Sequence, residues 1–147
     1  MELARLTSQL GYPVSEASIR TRMCRMFTSI DVSLLVAERP DGKLAGWIHG
    51  FLCQLLESDY RVEIGGLIVD ERYRRSGIGR GLVQAIENWA EEQGATELSV
   101  RCREEREESH KFYESLSFRP IKTQRVLRKR LSNVAEPCAA ANPVIAL

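Results

Sequence analysis

The most constraining feature of this chain is a strand, a glycine-rich basic turn and a helix start in immediate succession between Gly65 and Val83. The apolar run Leu67-Ile68-Val69 reads as a strand end, and Arg74-Arg75-Ser76-Gly77-Ile78-Gly79 follows it. Beyond that turn, Ile78, Leu82, Ile86, Trp89 and Ala90 fall on one face of a helix that Gly94 closes as its C′ residue. A helix N-terminus presents unpaired N–H groups and the positive end of the helix dipole, so it holds anions. Gly77 and Gly79 leave that backbone open to close approach, and Arg74, Arg75 and Arg80 surround it with positive charge. These residues imply a phosphate-bearing ligand.

Two familiar phosphate loops fail on spacing. The dinucleotide signature needs glycines at the first, third and sixth positions, whereas here Gly77, Gly79 and Gly81 leave Leu82 sixth, with no acidic residue at the expected place on a following strand. The Walker loop needs a Gly-Lys-Ser/Thr end, which this turn lacks.

The rest of the chain frames that unit. Leu3, Leu6 and Leu10 have helical spacing until Gly11-Tyr12-Pro13 breaks it. Ser15 is an N-cap for a second helix with Ile19, Met23, Met26 and Phe27 on its apolar face. Residues 33–56 read as a β-hairpin turning at Pro40-Asp41-Gly42-Lys43, and a third strand covers about 60–69. After the central helix, Thr96 to Cys102 alternates as a half-buried strand, and Glu104 to Leu116 forms a helix with acidic residues at its start. Phe118 to Leu131 reads as a terminal strand pair. The order predicts one α/β domain over residues 1–131 around a mixed sheet, with 132–147 as a flexible tail.

Charge and cysteines narrow the function classes. Lys and Arg number 21 against 20 Asp and Glu, a net charge of +1 that argues against a nucleic-acid partner. The basic stretch Arg125 to Arg130 has no aromatic interleaving and reads as a solvated strand. No apolar run approaches the roughly 20 residues that cross a membrane. The N-terminal residues lack a signal-peptide layout, so a cytoplasmic location is expected. Cys24, Cys53, Cys102 and Cys138 are scattered singly and His49 and His110 lie far apart, which predicts reduced thiols and no metal.

Two blocks together resemble the GNAT superfamily of N-acetyltransferases. Arg74-x-x-Gly77-x-Gly79 is similar to that family's Gln/Arg-x-x-Gly-x-Gly/Ala motif. Ser109-His110-Lys111-Phe112-Tyr113-Glu114-Ser115-Leu116-Ser117-Phe118 resembles its Ala-x-x-Phe-Tyr-x-x-x-Gly-Phe block. Ser109 and Ser117 replace the usual Ala and Gly, and Arg106 stands where Asn is frequent. The resemblance covers about residues 33–131 and implies a mixed, mostly antiparallel sheet, splayed between two strands and flanked by helices. The resemblance does not extend to the strand that in the family precedes the first helix, so a sheet shortened at that edge is expected.

The family's roles carry over by position. Acetyl-CoA is the implied cosubstrate, its pyrophosphate held by Arg74, Arg75, Ser76, Gly77, Ile78, Gly79 and Arg80. Leu67, Ile68 and Val69 would pair with the pantetheine arm through their backbone, with Ser109 and Phe112 also beside the cofactor. Tyr113 is the implied acid for the leaving thiolate, and Val69 N–H the polariser of the thioester carbonyl. Glu63 stands where some members keep a catalytic carboxylate; an unbulged strand would place it on the face of Gly65, Leu67 and Val69. His110, on the outer side of its helix, is a weaker candidate base. The expected acceptor is a primary amine on a small molecule or a protein, and a homodimer is compatible with the pattern. The competing reading is a non-catalytic acyl-CoA-binding module.

Overall fold

The computed structural model describes residues 1–131. The tail expected over 132–147, and Cys138 with it, lie outside the described residues.

Two helices open the fold. The first, α1, spans Glu2–Gln9 and buries Ala4 and Leu6; the second, α2, spans Glu16–Met26, and its Ser15 cap accepts the Ser18 N–H. Of the apolar face expected there, Ile19 is buried, Met23 and Met26 are half-buried, and Phe27, just past the helix, is 53% exposed.

A four-stranded sheet follows: β1 (Val32–Glu38), β2 (Leu44–Leu55), β3 (Ser58–Val69) and β4 (Glu97–Val100), in that order across the sheet. The first two pairings are antiparallel and the last is parallel, as a helical crossover requires. Gly42, with φ +77°, makes the hairpin turn between β1 and β2. The crossover helix α3 (Ile78–Glu92) covers one face, burying Leu82, Val83, Ile86 and Ala90 against Ile48, Val62 and Ile64. α1 touches β2 and β3. A final helix, α4, spans Glu107–Glu114 and places Tyr113 in the α3-side core.

Two sequence expectations fail here. Residues 118–131 form neither helix nor strand, and 119–131 are exposed throughout. Prolonged apolar and basic side chains supplied the strand signal, but no described neighbour pairs with this segment. The strand ending near Cys102 is also shorter than its alternation suggested, because pairing with β3 stops at Val100.

The third finding concerns phase. Across β2, Ile64 pairs with Gly50 while Gly66 pairs with the adjacent His49, so Gly65 is an extra residue bulged out of β3. Before the bulge Val62 and Ile64 face α3, and after it Leu67 and Val69 do. Glu63 therefore lies on the opposite face from Leu67 and Val69, contrary to the alternation of an unbulged strand.

Candidate functional site

The parallel contact between β3 and β4 ends at Ile64 and Val100, yet β3 runs on to Val69. From Gly66 onward its backbone is paired to β2 on one side and faces a gap on the other. A groove of about 810 Å³ opens there. Leu67, Ile68 and Val69 form one wall, the turn residues Arg74, Arg75, Gly77, Gly79 and Arg80 another, and α4 the third through Ser109, Phe112 and Tyr113. Strand edge, cationic turn and aromatic helix thus share one cavity.

The turn is built by a carboxylate that sequence reading passed over. Asp70, fully buried at the end of β3, donates its N–H to the Ala45 carbonyl. Its side chain accepts the Arg72 N–H at 3.1 Å and the Arg72 guanidinium at 3.1 and 2.8 Å, and Arg5 of α1 reaches it at 2.5 Å. These partners, Arg72 first and then Arg5, hold its carboxyl well below the usual carboxylate range against the opposing effect of burial. Asp70 caps a short 3-10 turn, Glu71–Tyr73, that aims the chain toward α3. An Asp two residues before an Arg is a local signal for such a cap, but Arg5 lies 65 residues away and leaves no sequence trace.

The next residues shape the anion-binding surface. Arg75 has φ +61° and Gly77 +86°, so the chain turns through two left-handed residues before α3 begins. Successive turns of this kind point backbone N–H groups to one side. Gly77 stands as the N-cap without a side-chain cap, leaving the first N–H groups of α3 free for a ligand. Gly79 meets a second requirement: a Cβ there would sit 3.2 Å from the Phe112 ring, so its smallness lets α3 and α4 approach beside the groove. Ser76 and Ile78 do not line the groove. The Ser76 hydroxyl turns back to the Tyr73 carbonyl at 2.5 Å, and Ile78 packs against the core.

Helix α4 brings the aromatic pair. Phe112 and Tyr113 meet edge to face with centroids 5.1 Å apart, and Tyr113 meets Phe118 in the same way at 5.2 Å. Burial, with the neighbouring Cys102 adding to it, pushes the Tyr113 hydroxyl well above its ordinary range. It therefore stays protonated throughout neutral pH. The Cys102 thiol is likewise pushed up by burial, which disfavours its thiolate form. Arg106 donates to the Leu10 carbonyl at 3.1 Å and Arg103 to the Tyr12 hydroxyl at 2.8 Å, joining the start of α4 to the end of α1 across the groove's rim. The His110 ring is engaged 2.9 Å from the Arg103 carbonyl rather than turned to the cavity.

Glu63 sits apart from the groove lining. It is 7% exposed, and Arg101 meets both of its oxygens, Nε to Oε1 at 2.9 Å and Nη2 to Oε2 at 3.4 Å. It is thus a buried, paired carboxylate on the sheet face away from α3, not a solvated charge. His49, whose imidazole burial lowers in pKa, occupies the same face beside Phe51. The described residues contain no cluster of three potential metal ligands and no helix long and apolar enough to cross a membrane.

Comparison with known proteins agrees with this geometry. The model of the acetyltransferase (GNAT) family matches residues 6–118. An aminoglycoside N(6')-acetyltransferase type 1 from Acinetobacter baumannii is 39% identical over 62 residues, 42% of this chain. The aligned region is 41% of that relative's length, so the chain spans about two fifths of it. The crystal structure of the aminoglycoside 6'-N-acetyltransferase AAC(6')-Ih from Acinetobacter baumannii superposes with a TM-score of 0.78 at 22% identity, covering 89% of this chain and 91% of that one. AAC(6')-IG from Acinetobacter haemolyticus gives 0.76 at 22% identity, over 88% and 90% of the two chains. AAC(6')-Iy, solved with the bisubstrate analogue CoA-S-monomethyl-acetylneamine, gives 0.78 at 19%, again over 88% and 90%.

Proposed function

The chain belongs to the acetyltransferase (GNAT) family, and we propose that it transfers the acetyl group of acetyl-CoA to a primary amine by direct attack in a ternary complex. The observation that carries this reading is the shared groove, in which the free β3 edge, the left-handed basic turn and Tyr113 face one cavity. The pyrophosphate would rest on the free N–H groups at the start of α3, with Arg74, Arg75 and Arg80 around it. The pantetheine arm would add to the open edge of β3 at Leu67–Val69 as an extra strand does. Ser109 and Phe112 would close the groove over it.

The reaction needs an amine proton removed, an oxyanion held and a proton returned to sulfur. The Val69 N–H is placed in our reading at the thioester carbonyl. Tyr113, kept protonated by burial, donates to the departing CoA thiolate. Glu63, which lies off the groove on the other face of the sheet, would receive the amine proton through a water, with Arg101 orienting its carboxylate. The acceptor class we favour is a small cationic amine of the aminoglycoside kind, which rests on the named activity of the similar Acinetobacter proteins.

The test is release of free CoA thiol on incubation with acetyl-CoA and a panel of aminoglycosides, polyamines and lysine peptides. Turnover with at least one amine supports the reading. Stabilisation by acetyl-CoA with no turnover across the panel would turn it toward a binding module. Gly77→Glu sets bulk and negative charge where the pyrophosphate would rest and should abolish acetyl-CoA binding in calorimetry. Undiminished affinity in that variant would remove the turn from the site.

A further inference from the structure

Acetyl transfer as set out above leaves one proton without a receiver. A primary amine is an ammonium at neutral pH, so its nitrogen sheds two protons on the way to the amide. The route through Glu63 and its water takes one of them.

The bulge in β3 points to a receiver for the other. Gly65 and Gly66 both turn their Cβ positions to the sheet face away from α3, at the level where β3 parts from β4. A Cβ on Gly65 would stand 2.7 Å from His49 Nδ1 and 2.8 Å from His49 Cε1; one on Gly66 would stand 2.9 Å from Trp47 Cη2. The His49 imidazole therefore lies over the bulge, reaching from β2 to the strand that borders the gap. In register His49 pairs with Gly66, the first residue of the free β3 edge. Glu63 and Arg101 stand on the same face just before the bulge, joined to each other. An amine entering the gap from this face meets the imidazole on one side and the Glu63–Arg101 pair on the other.

The state of the ring suits that place. Burial alone lowers its pKa from the ordinary histidine value, with no hydrogen bond or charged neighbour contributing, so it is neutral at pH 7 and free to accept a proton. The charged groups of the surrounding elements are engaged elsewhere: Glu63 of β3 with Arg101, and Glu2 and Arg5 of α1 with each other and with Asp70. Leu34, opposite His49 on β1, carries no charge. His110, by contrast, is engaged at the Arg103 carbonyl.

We propose that His49 is a further catalytic residue of the acetyl transfer on which this role rests, receiving the second amine proton as the C–N bond forms and the C–S bond breaks. The balance closes: nitrogen gives one proton to Glu63 through the water and one to His49, and sulfur gains one from Tyr113. Tyr113 then recovers a proton, and one leaves to solvent in each turnover.

The test compares parent and His49→Gln by CoA release from acid to alkaline pH, with an amine that the parent accepts. In His49→Gln kcat should fall about 100-fold with the KM for acetyl-CoA unchanged, and the acid limb of the parent profile should be lost. Free imidazole should restore part of the rate to His49→Ala and leave the parent rate as it is. Gly65→Ala keeps the imidazole but drives it off the bulge, so kcat should fall there too while circular dichroism stays that of the parent. An unchanged kcat in His49→Gln, or an acid limb that persists there with no imidazole rescue of His49→Ala, would overturn the role while leaving acetyl transfer intact. A parent that turns over no amine is a different failure, since it removes acetyl transfer itself and the role of His49 with it.

Discussion

Two glycines four residues apart should respond to alanine with opposite signs. Gly77 has φ +86°, and nothing lies within 4 Å of where its Cβ would stand. The cost of Gly77→Ala is therefore conformational alone, about 1–2 kcal/mol for an L-residue forced into the left-handed region. Gly81 lies within α3 and also has nothing within 4 Å of a Cβ. Gly81→Ala avoids the entropy a helical glycine loses and should gain up to about 1 kcal/mol. For a domain of this size 1 kcal/mol corresponds to roughly 4 °C, so Gly77→Ala should melt about 4–8 °C lower and Gly81→Ala up to about 4 °C higher. Urea titrations with unchanged m-values would show that both effects are on stability. Gly77→Asn should recover part of the loss, because asparagine tolerates this backbone better. Should Gly77→Ala melt with the parent protein, the turn does not hold its left-handed conformation and the geometry argued for the anion site is wrong.

Three further outcomes are expected. Tyr113→Phe keeps both edge-to-face contacts and removes only the hydroxyl, so the melting temperature and acetyl-CoA affinity should change little while kcat falls about 100-fold; an unchanged kcat would assign the proton to water. Asp70→Asn should cost about 2 kcal/mol at neutral pH through weakened bonds to Arg72 and Arg5. Because the folded carboxyl is depressed, its contribution is fully present above the unfolded value of about 4 and is lost as pH falls below it, so parent and variant stability curves should converge in acid; curves that stay parallel to the lowest pH would contradict this. Saturating acetyl-CoA at about 100 times Kd should stabilise the protein by about 2.7 kcal/mol and protect the amides of Leu67 and Val69 from hydrogen exchange; protection elsewhere with none on β3 would place the ligand off that strand.

What could be read in the sequence was what leaves a local pattern. The turn from Arg74 to Gly79, the α3 face with Gly94 beyond it and the Ser15 cap all depend on neighbours within a few residues, and their spacing showed them. The bulge at Gly65 was not legible, because Gly65-Gly66 carry no side chains to mark a slip of phase. That slip moved Glu63 to the other face, where Arg101 rather than water meets it. The segment 118–131 misled for a related reason. Its apolar and β-favouring residues announce a strand but name no partner, and pairing is decided by what lies beside a segment.

The contact between Arg5 and Asp70 also bears on time. It joins residues 65 apart, among the longer closures in the fold, and the turn that receives it cannot be clamped until α1 has docked. Contacts of such separation form late, since the entropy of closing the loop is lost before any reward arrives. In a refolding reaction the sheet and α3 should therefore gain structure before the anion site becomes competent. During synthesis the first helix emerges long before its acidic partner. Substitutions on α1 that never touch the groove should then delay the appearance of ligand binding more than they delay the appearance of secondary structure.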